Sequence, residues 1–115
     1  MTITIYHNPR CSKSRQALQL LGEHGQQARV INYLDTPPSH AELEQILQLL
    51  GLEPRELMRR KEAEYAELGL DSPALSRAAL IDAMVQHPRL IERPIVISGQ
   101  RAVIGRPPEK VLELL

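Results

Sequence analysis

Residues 2–33, TITIYHNPRCSKSRQALQLLGEHGQQARVINY, decide the fold class. Thr2-Ile3-Thr4-Ile5-Tyr6 alternates β-branched and apolar residues with period two, which predicts a strand. Asn8-Pro9 ends it, because proline removes an amide donor and restricts the residue before it. A helix is expected over about residues 12–24, with Ala17, Leu18 and Leu21 on one face and Gly25 as its stop. Residues 29–33 (RVINY) read as a second strand. A strand this close behind a helix makes a βαβ unit, whose strands run parallel with a right-handed crossover.

Downstream, Thr36-Pro37-Pro38 breaks the pattern. Ser39 and Glu42 form a capping box, in which each side chain satisfies an orphan amide of the next helix. Leu43, Ile46, Leu47 and Leu50 recur at i, i+3, i+4 and i+7, and Gly51 ends that helix. Shorter helical pieces are expected at residues 54–60 and 62–68. A further helix carries Leu80, Ala83, Met84 and His87 before Pro88. Arg93-Pro94-Ile95-Val96-Ile97 turns extended, and Arg101-Ala102-Val103-Ile104 resumes after Gly99-Gln100, where glycine first suits a type II′ hairpin. Pro107-Pro108 opens a last helix bearing Val111, Leu114 and Leu115. The order β-α-β, helical block, β-β-α predicts an α/β protein: a thioredoxin-like fold with a mixed sheet and an inserted helical block at about residues 39–91. Residues 1–115 are expected to form one domain.

Composition narrows the function classes. Fourteen Lys plus Arg balance 14 Asp plus Glu, so the chain has no net attraction to nucleic acid or anionic membrane. Its longest apolar run, Ala78-Ala79-Leu80-Ile81, is far too short to span a bilayer. The N-terminus reads as a strand, not a signal peptide, and the expected location is cytoplasmic. A single cysteine excludes an internal disulfide framework and an all-cysteine zinc site. His24, His40 and His87 lack metal-ligand spacing, and no metal site is expected. Three scattered tyrosines, with no Phe or Trp, make no stacking platform for nucleic acid.

Cys11 is the residue most suited to chemistry. It follows the strand-breaking Asn8-Pro9 at a helix start, where orphan amides and the macrodipole favour a thiolate. Arg10, Lys13 and Arg15 add positive charge, and His7 can add a hydrogen bond or a charge. HNPRCSKSR is too polar for a core, which argues against an inert structural cysteine. The same loop offers amides to an anion. An oxyanion there also needs planar, bidentate cations, and Arg59, Arg60, Arg93 and Arg106 are the candidates outside the loop. Cys11-Ser12-Lys13-Ser14 lacks the second thiol of a dithiol oxidoreductase and instead suits chemistry that borrows an outside thiol. Cys11 and Arg15 stand too close together for a cysteine-phosphatase loop.

YHNPRCSKSR (6–15), NYLDTPPS (32–39), ELMRRKEAEYAELGL (56–70), LIDAMVQHPRLIERPIV (80–96) and IGRPPEKVLELL (104–115) together resemble the ArsC family, the glutaredoxin-coupled arsenate reductases and their relatives. The likeness covers essentially the whole chain and implies a thioredoxin-like fold with a helical insertion. It implies that Cys11 is the catalytic cysteine. It further implies that Arg59, Arg93 and Arg106 hold the oxyanion, that Pro94 is a cis-proline beside the site, and that His7 and Ser14 tune the thiolate. Arg15 supports the loop. The implied reaction takes arsenate to arsenite, with glutathione as co-substrate, glutaredoxin as partner and no bound cofactor. Two alternatives stay open on the same residues: another glutathione-linked thiol oxidoreductase, or a non-enzymatic regulator of RNA polymerase. The C-x-x-C switch usual in such regulators is absent here.

Overall fold

Strand β1 (Ile3–His7) lies inside a four-stranded sheet of order β2-β1-β3-β4 in the computed structural model, which describes residues 2–115. β2 (Ala28–Asn32) pairs with it in parallel, Ile5 opposite Val30. β3 (Ile95–Ser98) pairs on its other side antiparallel, Ile5 opposite Val96, and β4 (Arg101–Ile104) extends the sheet antiparallel. The sheet is therefore mixed, and the βαβ unit has the expected parallel strands. Gly99 has φ +60° while Gln100 stays out of the left-handed region, the backbone of a type II′ rather than a type I′ turn.

The chain up to Thr36 and Arg93–Leu115 form one compact unit; Pro37–Glu92 forms a second. In the first, helix α1 (Ser12–Glu23) buries Ser14, Ala17 and Leu21, a stripe at helical spacing. Ala17 and Leu21 join Ile3, Ile5, Val96, Val111 and Leu114 in one apolar cluster. Each large aliphatic side chain buried there contributes about 1.5–3 kcal/mol. β2 sits one residue earlier than expected, because Asp35 and Thr36 donate to the Asn32 carbonyl and turn the chain. The terminal helix is also different: Pro108–Leu114 is a 3₁₀ helix, and Leu115 is half exposed. Two consecutive prolines cannot donate to a helical ladder, and a segment this short relies on packing against α1.

In the second unit, α2 (His40–Leu50) begins at Ser39 with both bonds of the capping box and ends at Gly51, φ +68°. Its Leu43, Ile46 and Leu47 are buried, and α2 packs on α4 (Arg77–Gln86), which buries Leu80, Ile81 and Met84. Ile81 is fully buried, whereas Ala83 and His87 are half-buried. The pieces between are shorter than predicted: a 3₁₀ turn at Pro54–Leu57 and helix α3 at Ala63–Glu67. Helix does not continue through Met58 because that residue bridges Ile91 antiparallel, with Arg59 N–H on the Leu90 carbonyl (2.6 Å) and Glu92 N–H on the Leu57 carbonyl (2.8 Å). Tertiary pairing overrides local propensity at this point. No helix among the described residues is long and apolar enough to cross a membrane.

Candidate active site

The site starts where β1 ends. Asn8-Pro9 turns the chain, and the Cys11 amide closes that turn on the Asn8 carbonyl at 3.0 Å. Cys11 is then the N-cap of α1 in extended conformation, its carbonyl accepting from Arg15 N–H at 3.0 Å. The Cys11 side chain makes no capping hydrogen bond to this helix, whose first-turn amides stand at the thiol end. Cys11 keeps 9 % of its surface exposed.

Ser14 lies one turn inside the helix and is fully buried. Its Oγ is 2.6 Å from His7 Nδ1 and accepts from Asn8 N–H at 3.1 Å. Strand end, turn and helix start are thus joined through one hydroxyl. Burial pushes the His7 imidazole below its ordinary pKa of 6.5, and the Arg15 cation adds to the shift, so the ring is held neutral. The neutral tautomer with a bare Nδ1 lets the Ser14 hydroxyl donate to the ring while accepting from the Asn8 amide. Arg15 itself folds back to donate to the Pro9 carbonyl at 2.9 Å.

One further segment of the same unit reaches the thiol, and a second is joined to it through Arg106. Arg106 follows β4, and its Nη1 lies 3.9 Å from Cys11 Sγ and 3.3 Å from the Arg93 carbonyl. The Arg93-Pro94 peptide bond is cis, as expected, and Pro94 is buried. Nε and Nη1 of Arg93 are buried as well. A second cis bond, Arg106-Pro107, had no signal in the residues around it.

Arg59 belongs to the second unit. Its backbone is fixed by the Met58–Ile91 bridge, and its guanidinium pairs with Glu62 and, at 4.0 Å, with Glu92. Glu62 is shared with Arg89 at 3.4 Å. Neighbouring Arg60 is exposed and donates to the Arg55 carbonyl at 3.4 Å. The structure therefore gathers Cys11, His7, Ser14, Arg106 and the Arg93 main chain, and shows Arg59 held by carboxylates of its own unit. Sequence reasoning passed over Gly105, between β4 and Arg106. A glycine in or beside a strand often marks a bulge, a bend or a close approach of other groups.

Residues 6–114 match the ArsC family. The chain belongs to that family. Among ArsC relatives it is 53 % identical to "Arsenate reductase" of Neisseria meningitidis, covering 98 % of this chain and 97 % of that protein. It is 54 % identical to YfgD of Escherichia coli K12, named an uncharacterized protein, over 98 % of this chain and 96 % of that one. A solved structure, "Arsenate reductase from Vibrio cholerae", superposes with TM-score 0.97 at 54 % identity, covering 100 % and 98 % of the two chains. The ArsC membership and this superposition make the mixed sheet and its helices a thioredoxin-like fold.

Proposed function

We propose that this chain is an arsenate reductase working through one cysteine. The observation that carries the reading is the approach of Arg106 Nη1 to Cys11 Sγ, which sets a fixed cation on the single thiol of the chain. The relatives named arsenate reductase support arsenate as the oxyanion.

Cys11 Sγ attacks arsenic, forming an S–As bond as one oxygen leaves as water. Arg106 and Arg93 neutralise the remaining oxygens, with Arg59 as the third cation. With no second cysteine in the chain, the two electrons come from outside. Glutathione thiolate attacks Cys11 Sγ, the S–As electron pair stays on arsenic, and arsenite leaves. The mixed disulfide between Cys11 and glutathione passes to glutaredoxin, which returns Cys11 as a thiol. Arsenic(V) becomes arsenic(III) while two thiols become one disulfide, so atoms and electrons balance. This chemistry suits the cytoplasm, where thiols are kept reduced, and uses no metal or bound cofactor.

The test is an NADPH-coupled assay with arsenate, glutathione and glutaredoxin, run on wild type and Cys11→Ser. Wild type is expected to consume NADPH in proportion to arsenate, and Cys11→Ser to fall to background with its circular dichroism unchanged. Arsenate-independent consumption in both proteins would overturn the reading.

A further inference from the structure

We infer that Gly105 is a positioning residue of this site: the absence of a side chain there sets how closely Arg106, which donates to the Arg93 carbonyl, stands to the thiol. Gly105 is buried, and its amide donates to the Pro94 carbonyl at 2.8 Å. A Cβ at this position would lie 2.9 Å from Pro94 Cγ, 3.1 Å from Val111 Cγ1 and 3.4 Å from Ala17 Cβ. The closest of these is shorter than two carbons tolerate.

The neighbours differ in how they can yield. Val111 is fully buried, and a β-branched side chain is stiff about χ1. Ala17 belongs to α1 and has no rotamer to change. The Pro94 ring can yield by re-puckering at Cγ, but it is closed onto its own main chain, so any displacement beyond a change of pucker moves the Arg93-Pro94 peptide. That peptide's Arg93 carbonyl accepts from Arg106 Nη1, the nitrogen that also reaches Cys11 Sγ. Steric pressure at Gly105 is therefore passed to the cation on the thiol, and Arg106 is the next residue along the chain. The inference rests on the reading of Cys11 as the reacting group, and its readout requires no turnover.

Cys11 is to be alkylated with iodoacetate, an anion, and with iodoacetamide, which is neutral; the ratio of the two rates reports positive charge beside the sulfur. Gly105→Ala is expected to lower that ratio about two- to threefold toward the value for Arg106→Gln, since charge interaction weakens with distance. In the arsenate assay it is expected to lower kcat/KM by about tenfold or more, because a misplacement of about 1 Å in a reacting site can cost about 100-fold. Adding Val111→Ala to Gly105→Ala removes the second-closest of the three contacts and gives the new Cβ room, so the ratio should recover although the core loses more packing. A purely structural role predicts the reverse, a double variant worse in every respect. Gly22→Ala is the control, because a Cβ there meets nothing within 4 Å. An unchanged ratio in folded Gly105→Ala overturns the inference, and so does failure of both the single and the double variant to fold. Should wild type prove inactive toward arsenate while the ratio falls and recovers as stated, the function reading fails and the positioning role stands.

Discussion

Arg106 and Arg59 are the same residue in similar backbone settings, each just beyond a short extended pairing, yet their guanidinium groups meet different company. Arg106 Nη1 reaches the Cys11 sulfur at 3.9 Å and the Arg93 carbonyl at 3.3 Å. Arg59 is held by the Glu62 carboxylate, with Glu92 at 4.0 Å. An oxyanion arriving at Arg106 meets a cation turned toward the reacting atom. At Arg59 it must first compete with a carboxylate. Residue type makes an arginine eligible for an anion site, and its neighbours decide what binding there costs.

The strongest test of that contrast replaces each arginine by lysine, which keeps the charge and loses the fork. Charge-assisted hydrogen bonds contribute about 1.5–3 kcal/mol, so kcat/KM for arsenate should fall about tenfold to hundredfold at each position. If Arg106→Lys loses activity while Arg59→Lys does not, Arg59 serves only the ion pairs of its own unit.

A second pair of variants compares the units through their serines. Ser14→Ala strands a part-buried amide and a buried ring nitrogen and should cost about 1–3 kcal/mol in urea titration. Ser39→Ala removes an exposed cap and should cost about 0.5–2 kcal/mol. Only Ser14→Ala should also alter the alkylation rate of Cys11.

Glu62→Gln sharpens the comparison from the other side. A part-exposed ion pair is worth about 0.2–1 kcal/mol, so freeing Arg59 should lower KM for arsenate by up to about fivefold. A raised KM would mean that Glu62 orients Arg59 and does not compete with substrate.

The smallest effect concerns His7. Its pKa is lowered in the folded protein, so the unfolded chain binds the proton first as pH falls. Stability is therefore full above about 6.5, the unfolded value, and declines as pH drops toward the folded pKa. The slope should vanish in His7→Gln, measured as Tm against pH.

How much of this was legible beforehand depends on how local each signal is. Period-two alternation in β1, the Ser39–Glu42 box and the Gly99 turn are properties of adjacent residues, and all three stand in the structure. The Met58–Ile91 bridge joins residues far apart in sequence, so nothing near Met58 shows that the helical pattern must break there. The same holds for the site. The place of Cys11 at a helix start follows from Asn8-Pro9 and the apolar stripe behind it. Arg106 looks like any exposed arginine until the likeness to ArsC proteins singles it out, and the carboxylates on Arg59 are invisible without coordinates. Gly105 lies between: its position after a strand is readable, and what its missing Cβ avoids is not.

β1 is bonded along both edges, and the thiol loop hangs from its end. Amides in such a strand exchange with solvent only when the sheet itself opens, so Ile5 and Tyr6 should be among the slowest in the molecule. The sulfur is thus mounted one turn away from an interior strand of the sheet. Adjustment during a catalytic cycle is then expected in the groups that come to the sulfur and not in the strand behind its turn.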